Sequence, residues 1–485
     1  MSLSSWVDNL RSQGYSMLPM SSTPTTPDLT KTYTSASTKK RLFQITAVVL
    51  GLVVIVGYST KSSNSSGRGG NYYYEQYMNK SSTISNVDEN NDNWGKTIEM
   101  GWIPPNVGLA DLGEVAESRY RLGFEAGEEG TIEYFQRLHD FALSLPLALH
   151  SPLLTSLFYH APPNQPKLVP AHPTISNENI QPKPNSMISY KYIHQTDKEY
   201  DPSNELQKQW ERINKPDGWS IHFLDDQQAH DWMLKWFRRS DVEFAWDYMH
   251  RGVLKADFLR YLLPLVMGGV YSDVDTQPLR PIEQWGQHSV EYLDISSTDG
   301  HEWKSKLSTH PAVIVGIDVD VHSYQGWENG WPRSLGICQW TLSSAPSHPI
   351  FLDAVRRVVN STRVVESWEN WRKIEIQRLI QIGQNDQAEE LRNQHRDHAM
   401  NVMEWTGPGL FSDSVMAFLL ARYNVTWHRL RGLDHPLRIG DVLILPITGF
   451  SPGGEPDFGA EGPDSIQANL LHNFRGSWKP DGARK

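Results

Sequence analysis

The stretch Asp257-Phe-Leu-Arg260, followed after eight residues by Gly269-Val-Tyr-Ser-Asp-Val-Asp275, decides the fold class of this chain. Between Val253 and Met267 the apolar residues recur at helical spacing, which predicts a helix. Gly268-Gly269 is expected to end that helix, because glycine adopts the backbone of a helix terminus without strain. Residues 270–275 then predict a short strand that ends in two carboxylates.

These two carboxylates, Asp273 and Asp275, are two residues apart, so on a strand their side chains point to the same side. Two oxygen ligands that converge at a strand end suit Mg²⁺ or Mn²⁺ when the phosphates of a substrate also hold the ion. Asp257 and Arg260 are three residues apart and share one face of the predicted helix. A bare Asp-x-Asp pair is more often a solvated turn, and the chain has a second such pair, Asp318-Val-Asp320.

Six residues in this register resemble the signature of glycosyltransferase family 32: Asp257, Arg260, Gly269, Tyr271, Asp273 and Asp275. The resemblance implies that Asp257 and Arg260 hold the donor sugar and that Tyr271 lies beside the nucleotide. It also implies that Asp273 and Asp275 serve a site for a metal ion and a diphosphate. Asp257, Arg260 and Asp275 are therefore the predicted catalytic residues, and Asp273 is predicted to serve both the donor and the metal.

The resemblance covers residues 187–480, which we expect to form the catalytic domain. Strands alternate with helices there, so we predict an α/β sheet covered by helices on both faces. The family resemblance implies that this sheet is of the GT-A type, which is Rossmann-like. The predicted strands are 187–193, 219–224, 312–317 and 442–446, and the predicted helices are 227–238, 241–250, 350–359 and 367–400.

Further motifs lie at the predicted strand ends, where ligands bind in sheets of this kind. The segment Tyr192-Ile-His-Gln-Thr196 resembles the first strand of the family, which implies that Gln195 or Thr196 contacts the nucleotide. The segment Leu471–Trp478 resembles the closing motif of the family, which makes His472 a third predicted metal ligand. An imidazole ligand suits Mn²⁺ better than Mg²⁺.

Two more phrases, Gln339–Pro346 and Glu404-Trp-Thr-Gly-Pro-Gly409, resemble the fungal initiation-specific α-1,6-mannosyltransferases within this family. From the residues alone, Thr-Gly-Pro-Gly predicts a tight turn before a helix whose N-terminus favours anions. The carboxylates of Asp225-Asp226, at the end of the second predicted strand, are interpreted as the cap of the next helix.

The resemblance to this fungal branch implies a retaining, metal-dependent transferase. It would move mannose from GDP-mannose to a mannose of a protein-linked N-glycan of the high-mannose type, in α-1,6 linkage. Its cofactor would be Mn²⁺, or Mg²⁺, at Asp273, Asp275 and His472.

Two alternatives stay open. One is the transfer of mannose to inositol phosphoceramide, which other members of the family carry out. The other is a non-catalytic subunit in a hetero-oligomer with other mannosyltransferases.

Composition argues against several other functions. The chain has 485 residues and a net charge of −11, without an extended basic block, so we do not expect nucleic acid as a partner. Its single cysteine, Cys338, cannot form an intramolecular disulfide or a zinc site made of several cysteines.

The N-terminal part of the chain has a different organisation. Lys39-Lys-Arg41 precedes the apolar run Leu42–Tyr58, which predicts a signal-anchor transmembrane helix over 39–58 with a cytosolic N-terminus. Residues 1–38 are predicted to be a disordered cytosolic tail, 59–98 a flexible stem, and 99–186 an accessory segment with a Pro-rich linker. Together with the family resemblance, this order implies a single-pass type II protein of the Golgi membrane with a lumenal catalytic domain.

Overall fold

The computed structural model of this chain describes residues 128–161, 191–293, 311–321, 331–454 and 458–474. All of them belong to one compact unit, Gly70–Lys485. The predicted tail, anchor and stem, at 1–38, 39–58 and 59–98, lie outside the described residues. In the part that is described, no helix is long and apolar enough to cross a bilayer.

Helices and strands alternate through most of the described chain. The helices are α1 Glu128–Ser144, α2 Leu147–His160, α3 Glu205–Asn214, α4 Asp226–Phe237, α5 Asp241–Tyr248, α6 Gly252–Met267, α7 Pro349–Gln381, α8 Asn385–Asn393, α9 Val402–Trp405 and α10 Pro408–Tyr423. The strands are β1 Tyr192–Thr196, β2 Ser220–Leu224, β3 Gly269–Ser272, β4 Thr276–Pro278, β5 Glu291–Tyr292, β6 Val313–Asp320, β7 Leu335–Ile337, β8 Thr341–Ser344, β9 Leu437–Ile439, β10 Val442–Leu445 and β11 Leu470–His472.

Nine of these strands form one mixed sheet in the order β2-β1-β3-β8-β6-β10-β9-β5, with β7 paired to β6. Strands β1, β2 and β3 run parallel to one another. Strand β8 is antiparallel to both β3 and β6, so β6 runs in the same direction as β3. The carboxyl ends of β1, β3 and β6 therefore meet at one edge of the sheet, where ligands bind in α/β folds. Strands β4 and β11 form a separate two-stranded sheet.

Side chains pack on both faces of the nine-stranded sheet. On one face, α1, α2, α4 to α7, α9 and α10 contribute to a large hydrophobic cluster. On the other face, Ile193, Val270 and Ile314 pack with Trp210 of α3 and Trp285. Neighbouring residues of β3 face opposite sides, because Val270 belongs to the second cluster and Tyr271 to the first. This arrangement confirms the predicted α/β class.

The structure departs most clearly from the sequence prediction at α7. The pattern predicts two helices, 350–359 and 367–400, but one helix runs without interruption over Pro349–Gln381. Several β-branched residues between the two predicted helices have weak helix propensity. They are nevertheless buried, as at Val364 and Val365, so tertiary packing overrides the local preference. The chain then turns at Gly383, where φ is +78°, and continues into the short helix α8.

Part of the predicted accessory segment packs into the catalytic unit. His160, the last residue of α2, places its Nε2 2.7 Å from Asp441 Oδ2. His348 Nε2 lies 3.3 Å from the same oxygen, and the hydroxyl of Tyr423 donates to Asp441 Oδ1 over 2.8 Å. His348 Nδ1 accepts from the backbone N–H of Ile350, so its Nε2 carries the proton and donates to Asp441. A neutral His348 that donates in this way cannot also offer Nε2 to a metal ion.

His348 should make the fold sensitive to acid. Burial lowers the pKa of His348 to about 4, although Asp441 acts to raise it. An unfolded histidine titrates near 6.5, so between about pH 6.5 and 4 only the unfolded state takes up this proton. The free energy of unfolding should therefore fall as the pH drops through this window, by up to about 3 kcal/mol from His348.

The variant His348→Asn tests this pH dependence. Asparagine can still cap α7, because its side-chain oxygen accepts from the same backbone N–H, but it does not titrate. Denaturant unfolding at a series of pH values should show a flatter loss of stability below pH 6.5 in the variant. Equal slopes in both proteins would contradict the assignment.

Candidate functional site

The turn between α6 and β3 brings the signature residues together. Gly268 and Gly269 have φ values of +67° and +94°, which confirms that the glycine pair ends the helix. A Cβ atom on Gly268 would lie 2.7 Å from Pro346 Cδ, so a larger residue does not fit there. His194 of β1 donates from Nε2 to the carbonyl of Gly268 over 2.8 Å, which fixes the turn against the neighbouring strand.

Arg260 lies between two carboxylates. Its Nε and Nη2 donate to the two oxygens of Asp273 at 3.1 and 2.7 Å, a two-pronged contact, and its Nη1 donates to Asp257 Oδ1 at 2.5 Å. Burial acts to lower the pKa of Arg260, but Asp273 and Asp257 hold it well above its ordinary value. The guanidinium is therefore a permanent positive charge beside the end of β3.

Asp257 is more enclosed than a surface carboxylate. It is 2% exposed, and its Oδ2 accepts from Thr406 Oγ1 over 3.0 Å while Oδ1 accepts from Arg260. Burial raises the pKa of the Asp257 carboxyl to about 6, although Arg260 acts to lower it. In this arrangement Asp257 orients the guanidinium of Arg260, and Gln339 is a further hydrogen-bond partner of its carboxylate.

Asp273 and Asp275 do converge, but the backbone that carries them differs from the predicted one. Strand β3 ends at Ser272, so the prediction that both aspartates lie on the strand is wrong. They belong to a turn in which the backbone N–H and the hydroxyl of Thr276 donate to the carbonyl of Asp273, at 3.1 and 2.6 Å. The backbone N–H of Asp273 donates to the carbonyl of Trp340 over 2.9 Å. The turn therefore sets the direction of the two carboxylates.

His472 reaches the same turn from a distant part of the chain. Strand β11 pairs antiparallel with β4, which places His472 opposite Thr276. His472 Nε2 lies 3.1 Å from Asp275 Oδ1. The next residue, Asn473, donates from its backbone and side-chain N–H groups to the carbonyl of Asp275, at 3.1 and 2.7 Å. The structure thus brings His472 to the Asp-x-Asp turn.

The donor set fits a divalent cation. Asp273, Asp275 and His472 each offer one ligand atom, and these atoms all lie within 4.8 Å of one another. Two carboxylates and one imidazole suit Mn²⁺ or Mg²⁺, with open positions left for other oxygens. Both oxygens of Asp273 already accept from Arg260, so Asp275 and His472 are better placed as direct ligands than Asp273.

The two candidate nucleotide residues of β1 take opposite positions. Thr196 ends the strand at the same edge as the Asp-x-Asp turn, and its hydroxyl lies 3.0 Å from the hydroxyl of Tyr271. Gln195 points to the other face, where it is fully buried and accepts from Gln207 of α3 over 3.1 Å. The structure therefore groups Thr196 and Tyr271 with the site and leaves Gln195 in the interior.

Three residues of the site lie in motifs from which the sequence assigns them no individual role. Thr406 binds Asp257, Gln339 accepts from the hydroxyl of Tyr261 over 2.6 Å, and Trp340 holds the backbone of Asp273. The turn predicted around Thr406 does precede α10. The polar side chains of Thr406 and Gln339 are the signal that could have singled out these two residues, whereas Trp340 acts on Asp273 through its backbone carbonyl.

The prediction that Asp225 caps the helix after β2 is confirmed. Its side chain accepts from the backbone N–H of Gln228, and the Gln228 side chain accepts from the backbone N–H of Asp225, which together form a capping box at the start of α4. Asp225 therefore has a structural role and is not a further member of the site.

The second Asp-x-Asp pair, Asp318 and Asp320, makes hydrogen bonds within the fold. Asp318 and Asp320 lie on β6 and not in a solvated turn. Asp318 accepts from Ser451 Oγ over 2.6 Å. Asp320 is 3% exposed and accepts from the backbone N–H of Gly432 over 2.6 Å. Asp320 therefore holds the loop around Gly432 to the sheet.

Asp320→Asn is expected to weaken the fold without changing any metal requirement. The amide group cannot replace a charged acceptor shared by Gly432 and Arg431, so the free energy of unfolding should fall by about 1–2 kcal/mol. Denaturant unfolding checks the first part, and activity against metal concentration checks the second. A shifted metal requirement at unchanged stability would show that the metal has been assigned to the wrong pair of aspartates.

Several known proteins are similar in sequence to this chain. Residues 186–291 match the family described as "Glycosyltransferase sugar-binding region containing DXD motif". A protein of Schizosaccharomyces pombe named "Initiation-specific alpha-1,6-mannosyltransferase" is 35% identical over 274 residues, which are 56% of this chain and 58% of that protein. Proteins of the same name are 29% identical in Candida albicans, covering 57% of this chain and 66% of that protein, and 25% identical in Saccharomyces cerevisiae, covering 57% and 73%.

The chain spans less than two thirds of the S. pombe and C. albicans proteins. The match to the family nevertheless includes α6, β3 and the Asp-x-Asp turn, the elements that carry the signature. Residues 186–291 are therefore similar to the sugar-binding region of glycosyltransferases that contain a DXD motif, in agreement with the resemblance of the signature.

Proposed function

We propose that this chain is a metal-dependent glycosyltransferase with a GT-A type catalytic domain. The observation that carries the proposal is the convergence of Asp275, His472 and the Arg260–Asp273 pair at the carboxyl edge of the sheet. A nucleotide sugar has a diphosphate, which a divalent cation and a guanidinium both bind. The site holds the guanidinium of Arg260 beside the residues that would bind the cation.

We propose GDP-mannose as the donor and Mn²⁺ as the ion, with Mg²⁺ as a weaker substitute. The names of the relatives support mannose as the sugar. The imidazole of His472 favours Mn²⁺ over the harder Mg²⁺. When bound, the cation supplies positive charge to the diphosphate as it leaves the sugar.

Each residue of the chain then has a defined task. Arg260 donates to oxygens of the donor, and Asp257 holds its guanidinium in place while its carboxylate accepts from sugar hydroxyls. Asp273 orients Arg260 through the two-pronged contact and lies next to the metal ligands. Tyr271 and Thr196 form the neighbouring wall, toward the nucleotide.

We propose that the acceptor oxygen attacks the anomeric carbon from the face on which the diphosphate leaves. The bond between that carbon and the phosphate oxygen breaks, and the departing phosphate takes the proton of the acceptor hydroxyl. This route retains the anomeric configuration and uses no protein nucleophile. The residues of the chain contribute fixed charge and orientation, which supply most of the rate enhancement in catalysis of this kind.

The proposed acceptor is a mannose of a high-mannose N-glycan, extended in α-1,6 linkage.

We also propose that residues 39–58 anchor the protein in the Golgi membrane with residues 59–485 in the lumen, where it can associate with other mannosyltransferases. Protease added to sealed Golgi vesicles should then spare the catalytic domain. Its digestion in intact vesicles would reverse the proposed orientation.

A donor screen with the purified full chain in detergent tests the proposed reaction. We expect hexose transfer from GDP-mannose, with Mn²⁺, to a high-mannose N-glycan, and a product that is sensitive to an α-1,6-specific mannosidase. UDP-glucose and UDP-galactose serve as donor controls, and inositol phosphoceramide serves as the acceptor control. Transfer only to the lipid, or no transfer from GDP-mannose, would contradict the proposal.

A further inference from the structure

Trp340 contacts two parts of the proposed metal site, the Asp-x-Asp turn and His472. Its carbonyl accepts from the backbone N–H of Asp273 over 2.9 Å, just before β8 begins. Its indole ring stacks on the imidazole of His472, with centroids 4.3 Å apart and the planes 18° from parallel. Trp340 is 6% exposed, so this contact lies within the packed part of the molecule. One residue thus joins the Asp-x-Asp turn to the strand that carries His472.

His472 has few other restraints on its ring. Strand β11 has three residues and, among the described strands, pairs with β4 alone, outside the nine-stranded sheet. A metal-bound histidine usually donates its second ring N–H to a carbonyl or carboxylate, which fixes the plane of the ring. His472 Nδ1 is buried, yet no described residue forms a hydrogen bond with it. Apart from the contact of Nε2 with Asp275, the imidazole has ring contacts with two described residues, Trp340 and Phe474, and the ring centroid of Phe474 lies 4.0 Å away.

We propose that Trp340 is the positioning residue for His472. Its indole fixes the plane of the imidazole so that Nε2 faces Asp275, and its carbonyl holds the turn that carries Asp273. Ring stacking here takes the place of the hydrogen bond to Nδ1 that orients most metal-bound histidines. This inference rests on the proposed function, since it takes Asp275 and His472 to bind a divalent cation.

The test measures Mn²⁺ binding itself, by electron paramagnetic resonance of free Mn²⁺ in the presence of GDP, with the full chain. Trp340→Leu removes the aromatic face but keeps an apolar side chain, and we expect Mn²⁺ to bind about tenfold or more weakly. Trp340→Phe keeps a ring to stack on, and its affinity should stay within about threefold of the wild type. Trp285→Leu is the matched control, because Trp285 is buried in the same hydrophobic cluster and forms its ring contacts with Trp210 and Phe450.

Two further variants complete the test. His472→Ala should weaken Mn²⁺ binding, and the double variant Trp340→Leu/His472→Ala should bind no more weakly than His472→Ala, because the indole acts through the imidazole. Equal affinity in Trp340→Leu and wild type would overturn the inference, as would equal losses in Trp340→Leu and Trp285→Leu. If the wild type binds no Mn²⁺ with GDP, the proposed function fails first and the inference fails with it.

Discussion

Replacing Asp275 with alanine is expected to abolish sugar transfer, with kcat/KM falling by about 10³-fold or more. Asp275 offers the carboxylate that lies 3.1 Å from His472 Nε2, so its removal deprives the proposed cation of a direct ligand. The bonds from Asn473 go to the backbone carbonyl of Asp275, so they survive the substitution. The backbone of the turn should therefore keep its position in the variant, and denaturant unfolding checks that the fold is retained.

Asp273→Ala should remove activity as well, but with a cost to stability. The variant leaves Arg260 with Asp257 as its main carboxylate partner, in a site where the Asp273 side chain is 18% exposed. A buried guanidinium that loses a two-pronged partner destabilises the fold by about 1–3 kcal/mol. Transfer assays and denaturant unfolding of both variants separate the two effects. Full turnover by both would contradict the assignment of the metal site to this turn.

Arg260→Lys is expected to lower kcat/KM by about 10²-fold or more. Arg260 uses three nitrogens at once, two on Asp273 and one on Asp257, and a lysine ammonium cannot reproduce that planar geometry. The loss should appear in kcat as well as in the KM for the donor, because the guanidinium stabilises charge on the leaving group.

Arg251→Lys is the matched control for this substitution. Arg251 precedes the same helix, α6, and its Nη1 donates to Asp397 over 2.9 Å at a half-buried position. A lysine can keep such an ion pair, so activity should remain close to that of the wild type. A near-neutral Arg260→Lys, or equal losses in both variants, would remove Arg260 from the catalytic site.

Local signals in the sequence are enough to predict α6, the glycine turn after it and the helix cap at Asp225. Each depends on residues within one or two helical turns, where spacing and backbone preference decide the structure. The signature also predicts that Asp257, Arg260 and Asp273 come together. The strand geometry predicted for Asp273 and Asp275 is wrong, because the hydrogen bonds of Thr276 turn the chain one residue after β3.

Contacts between distant parts of the chain cannot be predicted in the same way. His472 lies 197 residues from Asp275, and the pairing of β11 with β4 that joins them involves three residues on each strand. The contact between His160 and Asp441 spans 281 residues. The continuity of α7 is a similar case, since burial of Val364 and Val365 overrides their weak helix propensity. In each case tertiary packing decides the outcome. For His472 the resemblance of its motif to the family predicts the meeting with Asp275, whereas no local pattern predicts the contact of His160 or the continuity of α7.

The central claim is that Asp275 and His472 bind a divalent cation that in turn binds a nucleoside diphosphate. Calorimetric titration of GDP into the wild type and into Asp275→Asn, each with Mn²⁺ and with EDTA, tests this claim most directly. We predict that Mn²⁺ strengthens GDP binding to the wild type by about tenfold or more and has little effect on Asp275→Asn. GDP binding that is equally strong with EDTA, or an Mn²⁺ effect that persists in Asp275→Asn, would contradict the claim.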